Sequence, residues 1–228
     1  MKRKDFQKFL FAAAGLVVLA MRNILYATAV DATGRVAAGH PLRWAVTGVS
    51  LLAAVGIALS WKEEALPKQG LNAGLGHLAL ALGIGTTVAA NAPLMPGTLG
   101  LVWVVSGWLS VPCLAVAGFF RLKKQPVPFL THAIPTVFLL VHLLNHYQLW
   151  CRNPQLMDIL FPLLAVIALT VTLYQHTAFD VGMGSGKQLN AAQCAALFLC
   201  MAELNAGSSL YLAGAIFAAT GLYRDWEV

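Results

Sequence analysis

Eight apolar stretches follow one another from Phe9 to Tyr223, separated only by short polar breaks. No other property constrains the fold as much. A spanning helix needs about 20 mostly apolar residues, and eight segments approach that length. They are Phe9–Val30, Trp44–Trp61, Ala73–Ala90, Thr98–Phe120, Val127–Trp150, Leu156–Tyr174, Lys187–Asn205 and Ser208–Tyr223. The composition agrees. Hydrophobic residues make up 59% of the chain and charged residues 11%, against about 25% charged in a soluble domain. Mean hydropathy is +0.72. Too little polar side chain remains to cover a water-facing surface. The expected fold is an all-α polytopic membrane bundle of about eight spans, forming one transmembrane domain over residues 1–228 with no soluble domain.

The positive charges set the expected orientation. With the N-terminus inside, the inner segments hold Lys2, Arg3, Lys4, Lys8, Lys62, Lys68, Arg121, Lys123, Lys124, Lys187 and Arg224. The outer ones hold Arg22, Arg35, Arg43 and Arg152. Eleven against four puts both termini in the cytoplasm, because Lys and Arg in short loops stay on that side. The net charge of +6 therefore reads as headgroup and topology charge, and nucleic acid is not an expected partner. The start of the chain resembles a signal peptide, with basic Met1–Lys4, an apolar run and Ala27-Thr28-Ala29. Arg22-Asn23 interrupts that pattern, and an uncleaved first span is expected. The expected location is a plasma membrane of bacterial type, with the lipid bilayer, a small-molecule ligand and a membrane-protein partner as the candidate partners.

Small residues recur at the spacing that lets helices approach closely in lipid. The pairs are Ala79-x3-Gly83, Ala81-x3-Gly85, Gly214-x3-Ala218 and Ala215-x3-Ala219. They predict that the third and last helices are surrounded by protein. Pro112, Pro135 and Pro162 fall inside spans, where proline removes a backbone bond and can kink a helix. Cys113, Cys151, Cys194 and Cys200 form no CxxC and read as small apolar filler.

Polar groups within the apolar runs are costly and mark candidate sites. Arg22 lies about 13 residues, roughly 20 Å, into the first span. It either snorkels outward or pairs internally, with Asp31, Asp158 and Glu203 as candidate partners. Asn23, Asn91, Asn145 and Asn205 map to the same outer half. His142 and His146, at i,i+4 on one helix face, lie near the outer end of the fifth span. The substrate-binding candidates are thus Arg22, Asn23, Asp31, Asn91, Asn145, His142, His146, Asp158 and Glu203, lining an outward-facing polar vestibule. His77, His132 and His176 lie at one depth near the inner face. Equal depth does not imply equal face, so the expectation is separate histidines with satisfied hydrogen bonds. No cofactor, metal or catalytic residue is expected.

Two strings invite stronger readings. Gly182-Met183-Gly184-Ser185-Gly186-Lys187 has the look of a phosphate-binding loop, but Val181 stands where the first Gly belongs, and Gln188 follows the Lys. A loop entering a helix is expected. Glu63-Glu64-x3-Lys68, Phe138-x3-His142 and His176-x3-Asp180 run in the order of three motifs of the CPBP intramembrane proteases. This partial resemblance implies a glutamate base, histidines and water-activated peptide cleavage. The first motif departs from the family, with Lys68 in place of Arg and Pro67 within it. His142 also falls at the opposite face from Glu64 and His176. The leading expectation is a small permease-like or substrate-binding protein. A membrane scaffold or partner subunit, and a membrane-embedded hydrolase, are the alternatives.

Overall fold

The computed structural model describes residues 3–29, 40–61, 66–67, 69–94, 97–150, 156–204 and 209–222. Among them are eight α-helices, one short 3-10 turn at Ala92–Leu94 and no strand. The helices are α1 (Arg3–Ala29), α2 (Pro41–Ser60), α3 (Leu71–Asn91), α4 (Gly97–Leu122), α5 (Leu130–Trp150), α6 (Leu156–Asp180), α7 (Gly186–Ala202) and α8 (Ser209–Leu222). Each coincides with one apolar stretch. Pro112, Pro135 and Pro162 lie inside α4, α5 and α6.

Among the described residues, five helices are long and apolar enough to cross a membrane: α1, α2, α3, α4 and α6. The outer surface suits that reading. Leu51, Leu52, Val55 and Leu59 of α2, and Leu101, Val105, Trp108 and Leu109 of α4, are all exposed. So many large apolar side chains on two helix faces are costly to leave in water. The helices of the core are covered on more sides. α3 packs between α4 and α8, α7 packs against α1, α2, α6 and α8, and α5 bridges α4 and α6.

Close backbone approach is what the small residues supply. A Cβ at Gly83 would collide with Ala213 of α8 and stand 2.9 Å from the Ser209 carbonyl. A Cβ at Gly118 of α4 would stand 3.0 Å from the Gly74 carbonyl of α3. Two helices can run this close only without side chains between them. Gly85 is looser, with Val111 of α4 at 3.3 Å from its would-be Cβ. The expectation that α3 and α8 sit inside the protein agrees with this packing.

The helices run alternately up and down, and hydrogen bonds define the two ends. At one end Gly70 N–H donates to the Arg121 carbonyl at 2.8 Å, joining the start of α3 to the end of α4. At the same end Asn190 Nδ2 of α7 donates to the Ser60 carbonyl of α2 at 2.9 Å. Arg121, Lys123, Lys124 and Lys187 lie here, so we call it the basic end. At the opposite end Ser209, which starts α8, bonds the Thr86 hydroxyl at 2.5 Å and the Thr87 hydroxyl at 3.2 Å near the end of α3. The glycine-rich string before α7 is a turn. Gly182 has φ +78°, and Ser185 is the N-cap residue of α7.

Candidate metal centre

Three histidines from three helices meet at the basic end. His77 is in the second turn of α3, on a face buried with Ala73, Gly74, Leu80, Ala81 and Ile84. His132 is in the first turn of α5, where Thr131 caps back onto the Pro128 carbonyl through both its amide (3.0 Å) and its hydroxyl (2.7 Å). His176 is near the end of α6, continuing the buried stripe of Leu169 and Leu173. All three are at most 2% exposed. Their rings lie 5.1–5.7 Å apart between centroids, and Phe217 of α8 closes one side, edge-on to His77 at 5.0 Å. One ligand nitrogen from each lies within 4.8 Å of the others.

The hydrogen bonds fix which nitrogens point inward. His77 Nδ1 is 2.6 Å from the Ala73 carbonyl. A carbonyl only accepts, so Nδ1 carries the proton and Nε2 of the neutral ring is a lone pair. His132 Nδ1 is 2.5 Å from Asp180 Oδ2, and the carboxylate likewise makes it the donor. The two Nε2 atoms face each other at 3.0 Å. Two lone pairs at that distance repel unless a positive centre lies between or beside them. His176 has a hydrogen-bond partner for neither ring nitrogen among the described residues. A buried polar group normally finds one.

Asp180 is itself held. Arg121 Nη2 donates to its Oδ1 at 3.3 Å, and both side chains are buried. The chain Arg121–Asp180–His132 is the carboxylate–histidine arrangement that orients imidazoles in metal sites, and the Ala73 carbonyl does the same for His77. Around a tetrahedral zinc ion, nitrogens at about 2.0–2.1 Å from the metal stand about 3.3 Å from one another. His77 and His132 are already near that spacing, and His176 needs to close by at most about 1.5 Å. A neutral nitrogen donor set suits zinc and its borderline neighbours. Magnesium and calcium require oxygen ligands.

The expectation of three separate histidines is thus corrected: they share one depth and also one interior. Asp180 and Arg121 were not among the sequence candidates. The only signal for Asp180 was the His176-x3-Asp180 spacing, and it binds His132 rather than His176. No spacing signal in the sequence singled out Arg121.

The outer candidates behave differently. Arg22 and Glu203 do come together in a buried ion pair. Arg22 Nη1 also donates to the Ala202 carbonyl at 3.1 Å, capping the end of α7, and its guanidinium lies over Phe161 at 4.7 Å. Of the two readings of Arg22, the geometry fits the internal pair. Asn23 is exposed on α1, and Asn91 Nδ2 bonds the Thr87 carbonyl of its own helix at 2.8 Å. Asn145 is half-buried on α5. His142 accepts from Trp103 Nε1 at 2.9 Å, and His146 Nδ1 lies 3.1 Å from the His142 carbonyl. His142 is buried and His146 half-buried, each with one ring nitrogen engaged inside the protein. Asp31 and Asn205 lie outside the described residues, as does the side chain of Asp158. Glu63, Glu64 and Lys68 of the protease-like string lie outside them too. His142 is ten residues, about 15 Å along α5, from the His132 ring that stacks on His176. The second and third motifs of that string therefore do not converge.

Comparisons with protein-family models, with curated proteins and with solved structures find no match to this chain.

Proposed function

We propose that this is an integral membrane protein of the plasma membrane, of bacterial type, whose function runs through a zinc-class metal ion held by His77, His132 and His176. The carrying observation is the 3.0 Å facing of His77 Nε2 and His132 Nε2, with each ring's other nitrogen already engaged. A shared proton would also relieve that facing. A proton joins two nitrogens, however, and His176 brings a third into the same space with neither of its nitrogens satisfied. A metal ion uses all three.

The topology in this reading is eight crossings with both termini cytoplasmic. The eleven-to-four distribution of Lys and Arg supports it. The metal centre then lies near the cytoplasmic face. The permease reading with an outward vestibule draws on Arg22, the outer polar group and the kinked central helices, and Arg22 is paired with Glu203 and covered by Phe161. The metal centre moves the functional end of the molecule to the opposite side.

Metal analysis of the purified protein, after incubation with zinc and removal of excess, tests the reading. One zinc per chain is expected in the wild type and in His142→Ala. His77→Ala and His176→Ala should lose it while staying folded. Retention of zinc by both would overturn the assignment.

A further inference from the structure

We infer that Thr220 of α8 is a positioning residue of the metal centre, holding His176 through one water molecule in the small cavity between α3, α6 and α8. The inference rests on the metal reading above. An imidazole that binds a metal through one nitrogen is oriented by a partner on the other. His77 has the Ala73 carbonyl for this, and His132 has Asp180. His176 is 2% exposed, and neither of its ring nitrogens has a partner among the described residues. With one nitrogen turned to the ion, the N–H of the other still needs an acceptor.

The cavity lies against that ring. His77, His176, Phe217 and Thr220 are in its lining, and its volume is about 10 Å3, room for about one water molecule. His77 turns Nδ1 to the Ala73 carbonyl and Nε2 to His132, so both its nitrogens are engaged elsewhere. His132 is not in the lining. Of the three imidazoles, the cavity therefore serves His176. Thr220 supplies the hydroxyl of the lining. Its Oγ1 donates its proton to the Phe217 carbonyl at 2.9 Å, which leaves the oxygen as an acceptor. A water in the cavity accepts from the His176 N–H and donates to Thr220 Oγ1. Gln193 of α7 offers an acceptor for its second proton. That side chain packs against Gly221 of the lining, and its Oε1 is buried with no partner among the described residues. Buried waters make about 2–4 such bonds. Gly76 of α3 leaves room for the arrangement, because a Cβ there would collide with the Thr220 hydroxyl.

The experiment is chelator competition on the zinc-loaded full-length protein, in the wild type, Thr220→Val and Thr220→Ser. Thr220→Val keeps the shape and removes the acceptor. It should weaken zinc binding by about 10–100-fold at unchanged stoichiometry. Thr220→Ser restores the oxygen without the methyl group and should bind zinc as the wild type does. Wild-type affinity in Thr220→Val would overturn the positioning role and leave the metal centre standing. So would an equal loss in both variants, which would trace to packing of the methyl group. Absence of bound zinc in the wild type would overturn both readings. A zinc-loaded wild-type structure that shows ordered water decides the matter even if Thr220→Val fails to fold. It should place a water within about 3.2 Å of one His176 nitrogen and of Thr220 Oγ1. A dry cavity, or a His176 nitrogen bonded directly to another protein group, would overturn the inference.

Discussion

His77 Nε2 and His132 Nε2 face each other at 3.0 Å, while His77 Nδ1 is held by the Ala73 carbonyl and His132 Nδ1 by Asp180. Such a contact is satisfied by a proton on one of the two nitrogens or by a metal ion beside both. The groups that hold the two rings are as specific as the contact itself. Asp180 ends α6 one turn after His176, yet it reaches across to His132, and Arg121 from α4 fixes it there. Four helices are therefore tied into one polar knot at the basic end.

Removing the orienting carboxylate should weaken metal binding without abolishing it. Asp180→Asn keeps the shape and loses the charge, and partners of this kind are worth about 10–100-fold in metal affinity. Competition with a chelator of known affinity measures the change. An affinity equal to the wild type would mean that Asp180 serves only to pair Arg121.

At the opposite end, the Arg22–Glu203 pair should matter for stability. Arg22→Leu leaves Glu203 buried without its cation, and breaking a buried pair costs about 3–5 kcal/mol in soluble proteins. Thermal unfolding in detergent should show a clear loss for Arg22→Leu. The double variant Arg22→Leu with Glu203→Leu should recover much of it, since no lone charge remains. An unchanged melting temperature for Arg22→Leu would place its guanidinium at the lipid headgroups.

Gly83 and Gly85 should separate by consequence. Overpacking costs about 1–3 kcal/mol or more, and a Gly83 side chain meets Ala213 and the Ser209 carbonyl. A Cβ at Gly85 would meet only a methyl of Val111, at 3.3 Å. In unfolding measurements Gly83→Ala should therefore destabilise more than Gly85→Ala. The reverse order would contradict the packing of α3 on α8.

Much of the fold was legible because hydropathy reports which residues can face lipid. Trp44–Trp61 was expected and α2 is Pro41–Ser60; Thr98–Phe120 was expected and α4 is Gly97–Leu122. The discrepancy in α6 is instructive. The apolar run stops at Tyr174, but the helix continues to Asp180 through Gln175 and His176, both buried. Polar residues there looked like an exit from the membrane, whereas they face protein. The same limit hid the three-histidine cluster. Depth along each helix can be counted from the sequence, and it put His77, His132 and His176 at one level. Azimuth cannot, because it depends on α3 lying beside α4 and α8 while α5 lies beside α6.

Reporter fusions test the orientation. One after Val228 should read cytoplasmic, and one placed within residues 32–42 should read external. An external C-terminus would mean that α7 and α8 do not both cross, and the basic end would no longer be uniformly cytoplasmic.

The most direct test of the central claim is X-ray absorption at the zinc edge on the zinc-loaded protein. The account predicts a first shell of about four nitrogen or oxygen atoms near 2.0–2.1 Å, with the outer-shell scattering of three imidazoles. His176→Ala, which loses the zinc, should show no protein-bound zinc edge. A first shell containing sulfur, or one without imidazole scattering, would contradict the three-histidine centre.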